Sequence, residues 1–104
     1  MPYQGWKNYE TWAVALWLSN EQGSYEYWRD EARITARHSD DREEATSSLA
    51  QSLKNSIEES APEVEGLFAD LLNAAIGEVD WYEVAAHWIE DEAADLFEAE
   101  EEAE

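Results

Sequence analysis

The chain has 104 residues, six basic side chains against 26 acidic ones, a formal net charge of −20 at pH 7 and no cysteine. Its 44% apolar and 12% aromatic residues suffice for one compact core, which excludes a disordered acidic chain, and the missing thiols exclude a disulfide framework or a thiolate metal site. Such a charge repels nucleic acid and anionic membranes and draws in basic protein surfaces.

The opening "MPYQGWKNYE" has neither the charged n-region nor the apolar h-region of an export signal. No apolar run approaches the roughly 20 residues of a membrane span, so the expected compartment is the cytoplasm. Beyond that opening the pattern is helical throughout, with apolar residues at 3.6-type spacing, no strand-like alternation and only four Gly and two Pro.

Five helices are expected. The first starts behind Asn8, a good N-cap, and runs through "YETWAVALWLSN". It is apolar on nearly every side from Trp12 to Leu18, which predicts a place at the centre of the core. "NEQGS" breaks it, and Ser24 is expected to cap a second helix reaching Arg37, with Tyr25, Trp28, Ala32 and Thr35 inward. Arg29, Arg33 and Arg37 repeat every four residues on a neighbouring face and are expected to pair with acids of adjacent helices.

After "HSDD" a third helix runs from Asp41 to about Ser60 on the narrow stripe Ala45, Leu49, Leu53 and Ile57. Pro62, favoured at the first helical position, is expected to start the fourth. Val64, Leu67, Phe68, Leu71, Leu72 and Ala75 follow it inward until Gly77. Asp80 with Glu83 has the pattern of a capping box. It opens a fifth helix that buries Trp81, Val84, Ala85, Trp88, Ile89 and Leu96 and frays beyond Phe97. The reading is an all-α, compact single domain over residues 1–98 with an acidic C-terminal helix and a frayed acidic tail over 99–104.

Charge is unevenly placed. All six bases lie in residues 1–54 with nine acids, whereas residues 55–104 hold seventeen acids and no base. Were residues 81–104 one helix, its 24 residues would span about 36 Å. It would carry ten carboxylates: Glu83, Glu90, Asp91, Glu92, Asp95, Glu98, Glu100, Glu101, Glu102 and Glu104. One DNA strand sets a phosphate about every 3.4 Å, hence a similar number over that length. This acidic face is the candidate partner-binding site. The same charges oppose the helix, because like pairs three or four apart cost roughly 0.2 to 0.5 kcal/mol each.

Other chemistry finds little support. Glu83, His87 and Asp91 recur at every fourth position, as metal ligands sometimes do, but a carboxylate-bundle metal site needs a Glu-x-x-His pair from each of two helices, so no metal or cofactor is expected. There is no Gly-x-Ser-x-Gly and no Gly-rich phosphate loop, so no catalytic residue is assigned and the protein is read as a non-enzyme. Base-stacking platforms need a basic groove, and Trp12, Trp17, Trp28, Trp81 and Trp88 fit core stripes instead.

The stretch "GWKNYETWAVALWLSNEQGSYEYWRDEA", residues 5–32, resembles the Gly-Trp-x-Asn-Tyr-Glu-Thr-Trp opening of a family of small proteins of bacteriophages and other mobile elements. "VDWYEVAAHWIED", residues 79–91, resembles that family's second common block. The resemblance implies a setting, one in which small acidic proteins disable host defence enzymes, and no catalytic residue.

Charge and setting together predict an acidic DNA mimic that inhibits a DNA-binding host-defence enzyme of restriction or CRISPR type in the host cytoplasm. Its partner is a basic DNA-binding protein or nuclease, with no direct binding of nucleic acid or membrane, and a homodimer remains open as the unit that completes the acidic face. Two alternatives stand beside it. One is an interaction or scaffold module using an aromatic patch around Trp6, Tyr9 and Tyr27; the other is a salt-adapted acidic structural protein.

Overall fold

The computed structural model describes residues 2–98. Five helices follow in chain order: α1 (Tyr9–Asn20), α2 (Gln22–Arg37), α3 (Arg42–Ser60), α4 (Leu67–Glu78) and α5 (Trp81–Ala93), the last continued by a 3₁₀ turn, Ala94–Leu96. The protein is a single all-α domain, and among the described residues the one β-type pairing is the bridge between Tyr3 and Trp6.

The core is built on α3 and α5, with α2 laid against both. The stripe Ala45, Leu49 and Leu53 of α3 is fully buried and meets Val84, Ala85 and Ile89 of α5, also fully buried. Ala32, Ala36, Ala45, Ala85 and Ala93 are 0–3% exposed, and these small side chains let three helices approach while Trp28 and Trp88 fill the remaining space. Each buried Leu or Ile contributes roughly 1.5 to 3 kcal/mol.

α1 is not the central helix. Thr11 and Leu18 are its buried residues, and Trp17 is 73% exposed. An all-round apolar surface shows how much a helix is able to bury, whereas neighbours decide how much it does. α2, α4 and α5 reach α1 along part of its circumference, whereas the narrow stripe of α3 lies between α2 and α5 and is fully buried.

Ser24 does not cap α2. The helix starts at Gln22 after the single extended residue Glu21, which makes no side-chain cap, and the inward position near its end falls on Ala36 rather than Thr35. Pro62 ends α3 instead of starting α4. Its ring forces the preceding Ala61 out of helical conformation, to ψ 140°, and the chain stays non-helical to Gly66, whose φ of +62° suits a residue without Cβ.

α4 itself has no buried residue. Ala69, Leu72 and Ile76 are half-buried along its inner side, but Leu67, Phe68 and Leu71, expected in the core with Val64, are exposed. Leu96 is also exposed, and Phe97 is buried in its place. Ala93 itself departs from helical dihedrals, with φ −137° and ψ 10°, so the side chains after it do not continue the inward stripe of α5 in register.

Candidate acidic interaction surface

The surface rests on two fastenings that fix α5. At its start, Asp80 Oδ1 accepts from the Glu83 backbone N–H at 3.0 Å, the first half of a capping box. The second half is diverted: Glu83 Oε1 accepts from the Lys7 backbone N–H at 2.9 Å, and the Asp80 N–H donates to Thr11 Oγ1 at 2.9 Å. Thr11 Oγ1 in turn donates to Asn8 Oδ1 at 2.6 Å, while Asn8 Nδ2 donates to the Glu78 carbonyl at 2.7 Å. The N-caps of α1 and α5 are thereby one polar network. A buried Thr in "NYET", three residues after an N-cap Asn, is the sequence signal for it.

At the other end Arg33 of α2 donates through Nη1 to the Glu92 carbonyl at 2.7 Å and to Asp95 Oδ1 at 3.0 Å, with a second contact from Nη2 to Asp95 Oδ2 at 3.3 Å. A guanidinium therefore closes the last turn of α5, where unpaired carbonyls carry negative partial charge. These bonds hold the Asp95 carboxyl below the usual carboxylate range and raise Arg33 further. Beside them the Tyr25 hydroxyl donates to Glu92 Oε1 at 2.6 Å, and that acceptor raises the tyrosine above its ordinary value. Arg42 pairs with Glu90 and lies 5.7 Å from the centre of the Phe97 ring.

Six predicted site residues fall within the described chain. Glu90, Asp91, Asp95 and Glu98 are exposed, while Glu83 and Glu92 are half-buried with their carboxylates engaged as above. Glu90 and Asp95 have arginine partners; among the described residues, Asp91 and Glu98 have no ion pair. Glu100, Glu101, Glu102 and Glu104 lie outside the described residues. The single helix over 81–104 is not formed: α5 stops at Ala93 after 13 residues, about 20 Å. Ending there takes Asp95 off the α-helical register that would set it against Asp91, and Arg33 holds it instead. The arginine row behaves in part as expected, for Arg33 crosses to α5 while Arg29 pairs with its neighbour Asp30 at 3.3 Å.

A cleft of about 110 Å³ opens beside Asp91 and Glu92, walled by Trp6, Tyr25, His87 and Trp88. Trp6 reaches it because Gln4 (φ 51°) and Gly5 (φ 87°) make a tight turn closed by the paired Tyr3 and Trp6 backbones. Its ring lies over His87, 4.0 Å between centroids. Trp6, Tyr9 and Tyr27 do not share one aromatic cluster: Tyr9 meets Tyr3 edge-on and Trp12 at a tilt, and Tyr27 meets Trp28 edge-on. Glu83 and His87 are turned to Lys7 and Trp6, and among the described residues no group of three or more His, Asp or Glu is placed to hold a metal ion. Nor is any described helix long and apolar enough to cross a membrane.

The arrangement sets exposed carboxylates along α5 and the turn that follows it, with a small aromatic cleft beside Asp91 and Glu92. Neither a curated protein nor a solved structure matches the chain. A family of unknown function matches residues 1–103, and the chain belongs to that family, DUF7249.

Proposed function

We propose that the protein is a non-catalytic inhibitor that presents a DNA-like array of carboxylates to the basic cleft of a DNA-binding defence enzyme, acting in the host cytoplasm for a phage or mobile element. One observation carries the reading: Glu90, Asp91, Asp95 and Glu98 are all exposed along the α5 end of a chain whose residues 55–104 contain no base. Their spacing no longer matches a strand of phosphates over 36 Å, so the mimicry lies in charge density and not in a helical ruler. A cationic cleft that releases counterions to DNA releases them equally to this surface.

Plating of unmodified phage on cells carrying a restriction or CRISPR system tests it. Wild-type protein should raise plating efficiency. The fourfold variant Glu90→Gln, Asp91→Asn, Asp95→Asn, Glu98→Gln should not, although it is expressed and folded. In vitro, cleavage by the responsible nuclease should be inhibited at low salt, with relief as salt or competing DNA is added. Equal protection by the fourfold variant would remove the mimicry.

A second reading, an interaction module without mimicry, is favoured by the exposed apolar side of α4.

A further inference from the structure

We infer that the outer side of α4 is a docking surface for a cationic amphipathic helix of a partner protein, a site separate from the acidic side of α5. α4 is apolar on two sides. Ala69, Leu72 and Ile76 are half-buried towards the domain, and on the outward side Leu67, Phe68 and Leu71 are 67%, 68% and 57% exposed, with Val64 in the preceding loop 38% exposed. A second apolar side, beyond the one a helix turns towards its own domain, is what a partner covers in a finished assembly. Three neighbouring large side chains in two turns make a contiguous patch, unlike isolated surface apolar residues.

The helix meets the domain through α1, and the Asn8 side chain binds the Glu78 carbonyl at its C-terminal end. A ridge of this kind meets an amphipathic helix as a groove-type partner does, through side chains one helical turn apart.

Charge identifies the occupant. Glu63, Glu65, Asp70 and Glu78 are exposed around the ridge, and no Lys or Arg occurs from residue 55 to the end of the chain. A partner therefore gains by framing its apolar stripe with Lys or Arg. A second copy of this chain would bring the same acids together with no base among them, and each copy adds a charge of −20. The occupant is thus a basic amphipathic segment and not another copy.

The test uses a fluorescein-labelled peptide of Leu and Lys with its leucines on one helical face, set against a scrambled peptide of identical composition. The scrambled peptide keeps the charge and loses the stripe. Wild-type protein should bind the ordered peptide at least tenfold more tightly by anisotropy. The variant Phe68→Ser, Leu71→Ser should lose that preference, and Leu67→Ser alone should reduce it. Circular dichroism should show both variants folded, since these side chains are exposed. The fourfold α5 variant should bind both peptides more weakly yet keep the ratio between them, which separates failure of this surface from failure of the acidic one.

Equal affinity of wild type for the two peptides would overturn the inference, as would an undiminished ratio in the double variant. Sedimentation equilibrium decides against a second copy: a dimer that strengthens with salt and is lost in the double variant would make self-association the role of this face.

Discussion

Asp80 and Thr11 are joined across 69 positions of sequence, the Asp80 backbone N–H donating to Thr11 Oγ1 at 2.9 Å. Thr11 is fully buried, and its hydroxyl also donates to Asn8 Oδ1. Through this one oxygen the starts of α1 and α5 set each other's position, and with them the site of Glu83 and the α5 acids.

Thr11→Val keeps the shape and removes the hydroxyl, leaving the Asp80 N–H without its acceptor. A buried donor left unpaired costs about 1 to 3 kcal/mol, and Asp80 is half-buried, so the urea midpoint should fall by the equivalent of the lower end of that range, about 1 kcal/mol, with an unchanged m-value. Thr11→Ser retains the oxygen and should lose less. Equal losses in the two variants would mean that the methyl group, and not the network, is what matters.

Tryptophan positions provide a second contrast. Trp88 is 7% exposed in the core, and Trp88→Ala should cost on the order of 3 to 5 kcal/mol, enough to unfold so small a domain. Trp17 is 73% exposed, and Trp17→Ala should change stability within about 0.5 kcal/mol. Acrylamide quenching checks the same assignment, because loss of Trp17 should remove the most accessible fluorescence.

That contrast marks where the sequence is legible. Leu49, Leu53, Val84, Trp88 and Ile89 were readable as core because their narrow stripes permit one inward face. Trp17 and Phe68 were not, because helices apolar on several sides leave the inward face undetermined until neighbours are known. Pro62 carries two meanings, helix start and helix stop, and the restriction it places on Ala61 prevailed. In the acidic surface, residue type disclosed the charge. It could not disclose that Arg33 and Arg42 would pair with Asp95 and Glu90 and that, among the described residues, Asp91 and Glu98 would have no ion pair.

The Arg33–Asp95 pair predicts a pH signature. Arg33 holds the Asp95 carboxyl below its ordinary value of 3.8, so the folded state binds that proton more weakly than the unfolded chain. The stabilisation is complete above the ordinary value and declines as pH falls through it towards the lowered one. Asp95→Asn should therefore melt below wild type at pH 7, with the difference closing at acid pH. Both side chains are solvent-accessible, so added salt should narrow the gap at neutral pH. A gap independent of pH would assign the effect to the Asp95 backbone region and not to its charge.

The four exposed acids of the α5 end separate into two pairs with different expected effects. The variant Asp91→Asn, Glu98→Gln removes carboxylates that have no ion-pair partner among the described residues, and Glu90→Gln, Asp95→Asn removes two that Arg42 and Arg33 already hold. Each variant loses the same net charge, so the long-range field falls equally, and the rate of association with a basic nuclease should drop alike in both. Contact is different. A cation of the partner reaches Asp91 or Glu98 directly, whereas at Glu90 or Asp95 it must share the carboxylate with an arginine. The Asp91/Glu98 variant should therefore dissociate faster, since loss of close charge contacts appears in the off-rate. Its salt dependence should also shallow by up to about two ion contacts. Thermal stability should move the other way: the Glu90/Asp95 variant loses two interhelical pairs and should melt lower, while the Asp91/Glu98 variant relieves repulsion and should melt as wild type or slightly higher. Surface plasmon resonance of both variants on a nuclease whose cleavage the wild-type protein is found to inhibit, at two salt concentrations, with melting curves beside it, measures all of this. Equal dissociation rates would mean that the arginine pairs open on binding, and the acidic surface would then act as four equivalent charges.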